Sequence, residues 1–199
     1  MVPGAVVVNM PESWVIPRFL GSRRQELLDY VLCQEQQFSA ATVSMGATRA
    51  VVEGVRRARI LESLGNFDRL FLDHLKPILG ELGLEFGRIE LQVTASNDGD
   101  YFRSHVDGGP DDTREITFVY FLHGEPRPFS GGELKIHDST VTPCGDTLVL
   151  FPSNSVHEVL PVHVPSRQFA DSRFTVNGWI HRGAALKGYL AGGSPCPTI

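Results

Sequence analysis

Apolar residues along this chain follow two periods, and the change from one to the other falls near Gly87. Before it, Leu27, Leu28, Val31 and Leu32 recur at helical spacing. Ser22-Arg23-Arg24-Gln25 ahead of them has the form of a capping box, so an amphipathic helix is predicted to about Gln37. A second helix is predicted from a cap at Asn66 through Leu70, Phe71, Leu75, Ile78, Leu79 and Leu82 to a stop at Gly83. Pro77 inside it removes the hydrogen bond to the Asp73 carbonyl, which predicts a kink or break. Trp14 to Leu20 reads as an extended entry, and Ser39 to Gly54, with no dominant period, as a hairpin or loop.

After Gly87, Ile89, Leu91, Val93 and Ala95 alternate with Arg88, Glu90, Gln92 and Thr94, the two-residue period of a half-buried strand. Short apolar runs follow at 116–122, 133–137, 147–151, 156–162 and 174–180, with Gly, Pro, Asp and Ser between them. A series of this kind predicts an antiparallel sandwich or barrel. The chain is therefore read as mainly β (α+β), with supporting helices near its N-terminus.

With 199 residues, 42% hydrophobic and 21% charged, the chain suits one domain with a substantial core. A formal charge of -5 lacks the basic footprint of a general nucleic-acid binder. Arg56, Arg57 and Arg59 form a small basic cluster that reads as a solvated strand face rather than an anion contact. Cys33, Cys144 and Cys196 are widely spread and include no Cys-x-x-Cys pair. They predict neither a disulfide framework nor a thiolate zinc site, and fit a reducing, cytoplasmic setting. No leader is read at the N-terminus, and no run approaches the ~20 apolar residues of a membrane span. Gly183 to Ile199, rich in Gly, Ala and Pro, reads as a surface tail.

The chemistry-bearing residues lie between Tyr101 and Trp179. In a strand His105 and Asp107 point to one face, and fifty residues later His157 offers a second imidazole in another apolar run. Arg173 follows sixteen residues beyond. Two imidazoles and one carboxylate fill one face of an octahedron and leave three positions open, the arrangement of non-haem Fe(II) oxygenases; an all-protein structural zinc site would close itself. Neutral imidazole and ionised carboxylate are both available near neutral pH. The plain alternative is ordinary hydrogen-bonding groups for His105 and Asp107 and a surface ion pair for Arg173. His137 and Asp138, being adjacent, point to opposite faces and make no pair, and His74 reads as a flank residue of its helix.

The pieces Asn97 to Asp107, Ser130-Gly131-Gly132-Glu133-Leu134, Asp146 to Pro152, His157-Glu158-Val159, and Arg173 with Trp179 six residues on resemble, in order and spacing, the catalytic core of the Fe(II)/2-oxoglutarate-dependent dioxygenase superfamily, in its prolyl 4-hydroxylase-like branch. The resemblance implies a double-stranded β-helix (jelly roll, cupin-like) over 88–182, with 1–87 as N-terminal helical and extended support and 183–199 as tail. It implies Fe(II) on His105, Asp107 and His157. A 2-oxoglutarate would chelate that iron through its 1-carboxylate and 2-oxo group, with O2 in the remaining position; ascorbate is also admitted. Arg173 would pair with the far carboxylate of 2-oxoglutarate through its two-pronged guanidinium, with Thr175 and Asn177 on the same strand face as hydrogen-bond partners. Where many relatives carry a tyrosine for that carboxylate this chain has Phe121, and Tyr120 points the other way. The segment Ser39 to Gly54 would overhang the site. Asp107 favours hydroxylation over halogenation. The implied reaction hydroxylates an aliphatic C–H, of a prolyl or similar residue in a protein, peptide or small molecule, with release of succinate and CO2. Alternatives are a tailoring hydroxylase of secondary metabolism and a non-catalytic jelly-roll module that binds a metal or partner. No nucleic-acid or membrane partner is expected, and the chain is expected to be a monomer or homodimer.

Overall fold

The computed structural model describes residues 8–10, 13–45, 48–84, 87–109 and 112–183. Among them, two antiparallel sheets face each other. The larger has eight strands, in the spatial order Val8–Met10, Ser13–Pro17, Thr147–Pro152, Arg114–Leu122, Arg173–His181, Ile89–Ser96, Arg59–Leu61, Ser39–Ala40. The smaller has five: Ser139–Val141, Leu134–Ile136, His157–Val159, Tyr101–His105, Arg56–Arg57. This is the antiparallel sandwich expected from the strand series, in the double-stranded β-helix form that the resemblance implies.

Arg114–Leu122 shows why the central strands read as near-continuous apolar runs: both of its faces are covered. Ile116, Phe118, Tyr120 and Leu122 pack toward α1 (Arg24–Cys33) and α2 (Phe67–Glu81), against Leu27, Val31, Phe71, Leu75 and Leu79. Val119 and Phe121 point between the sheets, where they meet Leu134, Ile136, Val149 and Phe151. The helices thus close the outer face of the large sheet. The gap between the sheets is left for chemistry.

Several local expectations are corrected. Ser22 caps nothing; it lies in a 3-10 turn, Gly21–Arg23, and α1 begins without a side-chain cap and ends at Cys33, short of Gln37. The chain entry is held instead by Asp146, whose carboxylate accepts the N–H groups of Leu20 (2.8 Å) and Gly21 (2.9 Å) and the Tyr120 hydroxyl (3.0 Å). Asn66 precedes α2 but gives no side-chain cap, and the helix runs unbroken through Pro77 because Leu75, Ile78 and Leu79 are all buried against the sheet. It stops where predicted: Gly83 takes φ +69°, and the Leu84 N–H returns to the Leu79 carbonyl at 2.9 Å in a Schellman motif. The run 156–162 is two strands, His157–Val159 and Val162–His163, interrupted at Pro161, which has no N–H to give a ladder. Residues before 88 do more than support: Ser13–Pro17, Arg56–Arg57 and Arg59–Leu61 are strands of the sheets themselves. Ser39 to Gly54 includes the hairpin Val43–Met45 with Thr48–Ala50.

The tail expected from 183 lies, past Gly183, outside the described residues, as does Cys196; Cys33 and Cys144 are free and exposed. Among the described residues no helix is long and apolar enough to cross a membrane.

Removing the Asp146 carboxylate leaves the buried Leu20 N–H, the part-buried Gly21 N–H and a buried phenol without an acceptor. Hydrogen bonds to a charged group contribute ~1.5–3 kcal/mol each, with losses that overlap, so Asp146→Ala is expected to destabilise the fold by about 3 kcal/mol. A urea unfolding midpoint shifted by less than that of a conservative surface substitution would contradict this.

Candidate active site

His105 ends the strand Tyr101–His105 and His157 opens His157–Val159, and antiparallel pairing sets the two residues opposite each other. Their ring centroids are 4.2 Å apart. Each ring is fixed by a carbonyl two residues earlier: His105 Nδ1 lies 2.7 Å from the Arg103 oxygen and His157 Nδ1 2.9 Å from the Ser155 oxygen. A carbonyl can only accept, so Nδ1 carries the proton and the Nε2 lone pair of both rings faces the other way.

Asp107 meets those lone pairs, but not by strand alternation. The strand ends at His105, and Asp107 sits on the turn beyond it, its N–H and that of Gly108 both donated to the Ser153 carbonyl at 2.9 Å. From there Oδ1 lies 3.5 Å from His105 Nε2, and Oδ2 lies 3.4 Å from His157 Nε2. The Thr117 hydroxyl donates to Oδ2 at 2.9 Å. Burial alone would raise the Asp107 pKa; the two histidines, when both of their ring nitrogens are protonated, outweigh it through hydrogen bonds and charge and hold the carboxyl well below its ordinary value. Donor atoms of the three residues lie within 4.8 Å of one another and could hold one metal ion. Carbonyl-anchored imidazoles and a hydroxyl-anchored carboxylate are the outer support such a site requires. His137 and Asp138 form the two-residue turn between Leu134–Ile136 and Ser139–Val141 and bring no donor to this cluster.

A narrow chamber of about 40 Å³ between the sheets is lined by all three residues and, farther in, by Arg173 and Asn177. Arg173 is 2% exposed, which excludes the surface ion pair. Its Nε donates to the Gly132 carbonyl at 2.8 Å, its guanidinium lies over the Phe121 ring at 5.1 Å, and its Nη2 is buried with no partner among the described residues. Burial lowers its pKa to about 10, against the opposing charge of Glu133, so it stays protonated at neutral pH. Gly132, at φ +69°, makes the room: a Cβ there would stand 2.6 Å from Arg173 Cδ. A buried, half-satisfied guanidinium is a cradle for a carboxylate. Thr175 is fully buried and donates to Asn177 Oδ1 at 2.5 Å, so Asn177 is the member of that pair that lines the chamber. Phe121 stands under Arg173 and Tyr120 faces the helices, as their alternation requires.

A wider outer chamber of about 260 Å³ adjoins the first and is lined by Thr42 and Val43 from the hairpin region, Arg56, Arg114 and Trp179. Here the solvated-face reading of 56–59 fails. Alternation along Arg56–Arg57 turns Arg57 outward to Asp100 (3.3 Å) and Arg56 inward, where it is 8% exposed. Thr117 is not singled out by sequence, and Arg56 reads there only as part of a solvated basic cluster. Thr117 had a signal: it is the hydroxyl on the Val119 and Phe121 face of an otherwise apolar run. Thr117→Val keeps shape and removes the donor, and loss of such an outer partner costs about 10–100-fold in metal affinity. Competition with a chromogenic chelator measures it, and an unchanged affinity would show that the hydroxyl does not position Asp107.

Residues 91–181 match the family model of the 2OG-Fe(II) oxygenase superfamily. Over 127 residues the chain is 45% identical to a PKHD-type hydroxylase of Synechocystis sp., itself uncharacterized; the match takes in 54% of this chain and 42% of that protein's length. The fold is similar to that of a Pseudomonas putida prolyl-4-hydroxylase (TM-score 0.64, 21% identity, 86% of this chain and 92% of the other). It is also similar to that of a prolyl hydroxylase from Trichoplax adhaerens solved with a hypoxia inducible factor peptide fragment (TM-score 0.69, 23% identity, 85% and 83%). Residues 91–181 thus carry the match to the 2OG-Fe(II) oxygenase superfamily, on a fold similar to that of prolyl 4-hydroxylases.

Proposed function

We propose that this chain is a hydroxylase in which His105, Asp107 and His157 hold Fe(II) and Arg173 takes the far carboxylate of 2-oxoglutarate. The match of residues 91–181 to the superfamily implies Fe(II), 2-oxoglutarate and O2. When bound, these supply the oxidative decarboxylation of 2-oxoglutarate to succinate and CO2 and the transfer of one oxygen atom to an aliphatic C–H. The chain's own contribution is placement. Arg103 and Ser155 carbonyls keep both Nε2 lone pairs free, Thr117 fixes the carboxylate, and the apolar walls at Phe102, Val119, Leu134 and Val159 exclude water. Asn177, its oxygen taken by Thr175, supports the cofactor end of the chamber.

The observation that carries this reading is Arg173. Among the described residues its Nη2 has no partner, yet Arg173 lines the same narrow chamber as the three metal donors. A non-catalytic module would leave that buried charge unexplained. The target is a prolyl or similar aliphatic carbon in a protein, peptide or small molecule; the peptide bound to the Trichoplax relative supports the peptide class. Thr42 and Val43 border the outer chamber, which fits a covering role for the segment Ser39 to Gly54. The test is succinate formation from 2-oxoglutarate by Fe(II)-loaded protein in air, with a metal-stripped control. Metal binding without any turnover of 2-oxoglutarate would favour the silent module.

A further inference from the structure

Nothing in iron or 2-oxoglutarate binding uses Arg56, although it lines both chambers. Arg56 is 8% exposed, and its described partners are uncharged: Thr94 Oγ1 accepts from Nη2 at 3.2 Å, and the Phe102 ring centroid lies 4.8 Å from Cζ. Asp107 acts on it only through space, and that carboxylate is already engaged by two imidazoles and Thr117. Burial lowers the Arg56 pKa to about 10, so it remains a cation at neutral pH. A desolvated guanidinium without a counterion is costly, and such groups persist where a ligand completes them.

The contrast with Arg114 in the outer chamber is informative. That guanidinium stacks on Trp179 at 4.2 Å and is answered by Glu90 at 3.2 Å and Asp112 at 4.0 Å. Arg56 has no such acid in contact among the described residues, only Asp107 acting through space, so the wall between the metal donors and the outer chamber carries an unpaired guanidinium. Only one of its nitrogens is committed, to Thr94, which leaves the remaining donors of the fork for a planar anion.

We propose that Arg56 anchors a carboxylate of the primary substrate, so that this site takes an organic acid, or a peptide presenting a carboxylate next to the carbon to be hydroxylated, rather than an uncharged stretch of chain. Calling the anion a substrate rests on the oxygenase reading of the same site; the anion site itself stands on the surroundings of Arg56.

Trp179 lines both chambers and Trp14 is the other tryptophan of the chain, so Trp14→Phe makes Trp179 the sole emitter. Quenching by iodide, an anion, is compared with quenching by neutral acrylamide in Mn(II)-loaded full-length protein. Arg56→Gln is expected to lower the iodide-to-acrylamide ratio about threefold, the effect of one unit charge a few ångströms away in a water-like dielectric. Arg56→Lys, which keeps the charge, restores most of it. Saturating 2-oxoglutarate leaves the wild-type ratio high. N-acetyl-L-proline protects Trp179 from iodide at several-fold lower concentration than its amide. Equal ratios in wild type and Arg56→Gln overturn the anion site. Loss of the wild-type excess on adding 2-oxoglutarate shows that the co-substrate takes Arg56 and overturns the substrate assignment, as does equal protection by acid and amide or by neither. A protein that keeps the iodide excess but turns over no 2-oxoglutarate refutes the oxygenase reading alone.

Discussion

Asp107→Ala is expected to abolish succinate formation, by on the order of 10³-fold or more, well beyond the 10–100-fold that loss of an outer-shell partner costs. Asp107 is the carboxylate of the three-residue cluster, and without it two neutral imidazoles remain to hold a dication. The fold should tolerate the change. The backbone of the turn stays tied, since the N–H groups of residues 107 and 108 bond to the Ser153 carbonyl through main-chain atoms alone. Circular dichroism and the unfolding midpoint should therefore move little while metal affinity and turnover fall together. His157→Ala belongs to the same prediction. Retention of more than a tenth of wild-type activity by either variant would place the metal elsewhere.

Arg173→Gln is expected to weaken 2-oxoglutarate binding by roughly 30-fold to several thousand-fold. Truncating one partner of a buried charge pair costs ~2–5 kcal/mol, and each 1.4 kcal/mol is a factor of about ten. Arg173→Lys should fall between, because an ammonium is a point charge without the fork. The ligand-free protein should behave in the opposite sense. Nη2 is buried without a partner among the described residues, so its removal relieves a desolvation cost and leaves Tm unchanged or raised. What is lost is the rise in Tm on adding 2-oxoglutarate, which follows from binding to the native state alone. A variant that keeps that rise would refute the assignment of Arg173.

Much of this site could be read from the chain, and the parts that could not share a physical cause. The period-two run from Ile89, the Leu75 to Gly83 end of α2, and the residues His105, Asp107, His157 and Arg173 are local patterns, visible in short windows. Contacts that span the chain leave no such trace. Asp146 fixes the entry at Leu20 and Gly21 from more than a hundred residues away, so the nearby Ser22 looked like the cap. Arg56–Arg57 is two residues long, too short to show a period, and which arginine turns inward depends on its pairing with Tyr101 and Phe102. Asp107 was grouped with His105 for a reason that did not apply. Strand alternation would have aligned them, but the turn held by Ser153 does so instead.

The Ser153 and Ser155 carbonyls have a joint consequence. One steadies the turn that carries Asp107 and the other steers the His157 ring, so five consecutive residues act as a ruler for two of the three donors. The exposed side chains along that ruler, Asn154 and Val156, are free to vary as long as its length is kept, whereas Ser153 and Ser155 are buried. A single insertion or deletion between Pro152 and His157 would displace both donors in one event, with no graded intermediate for selection to work on.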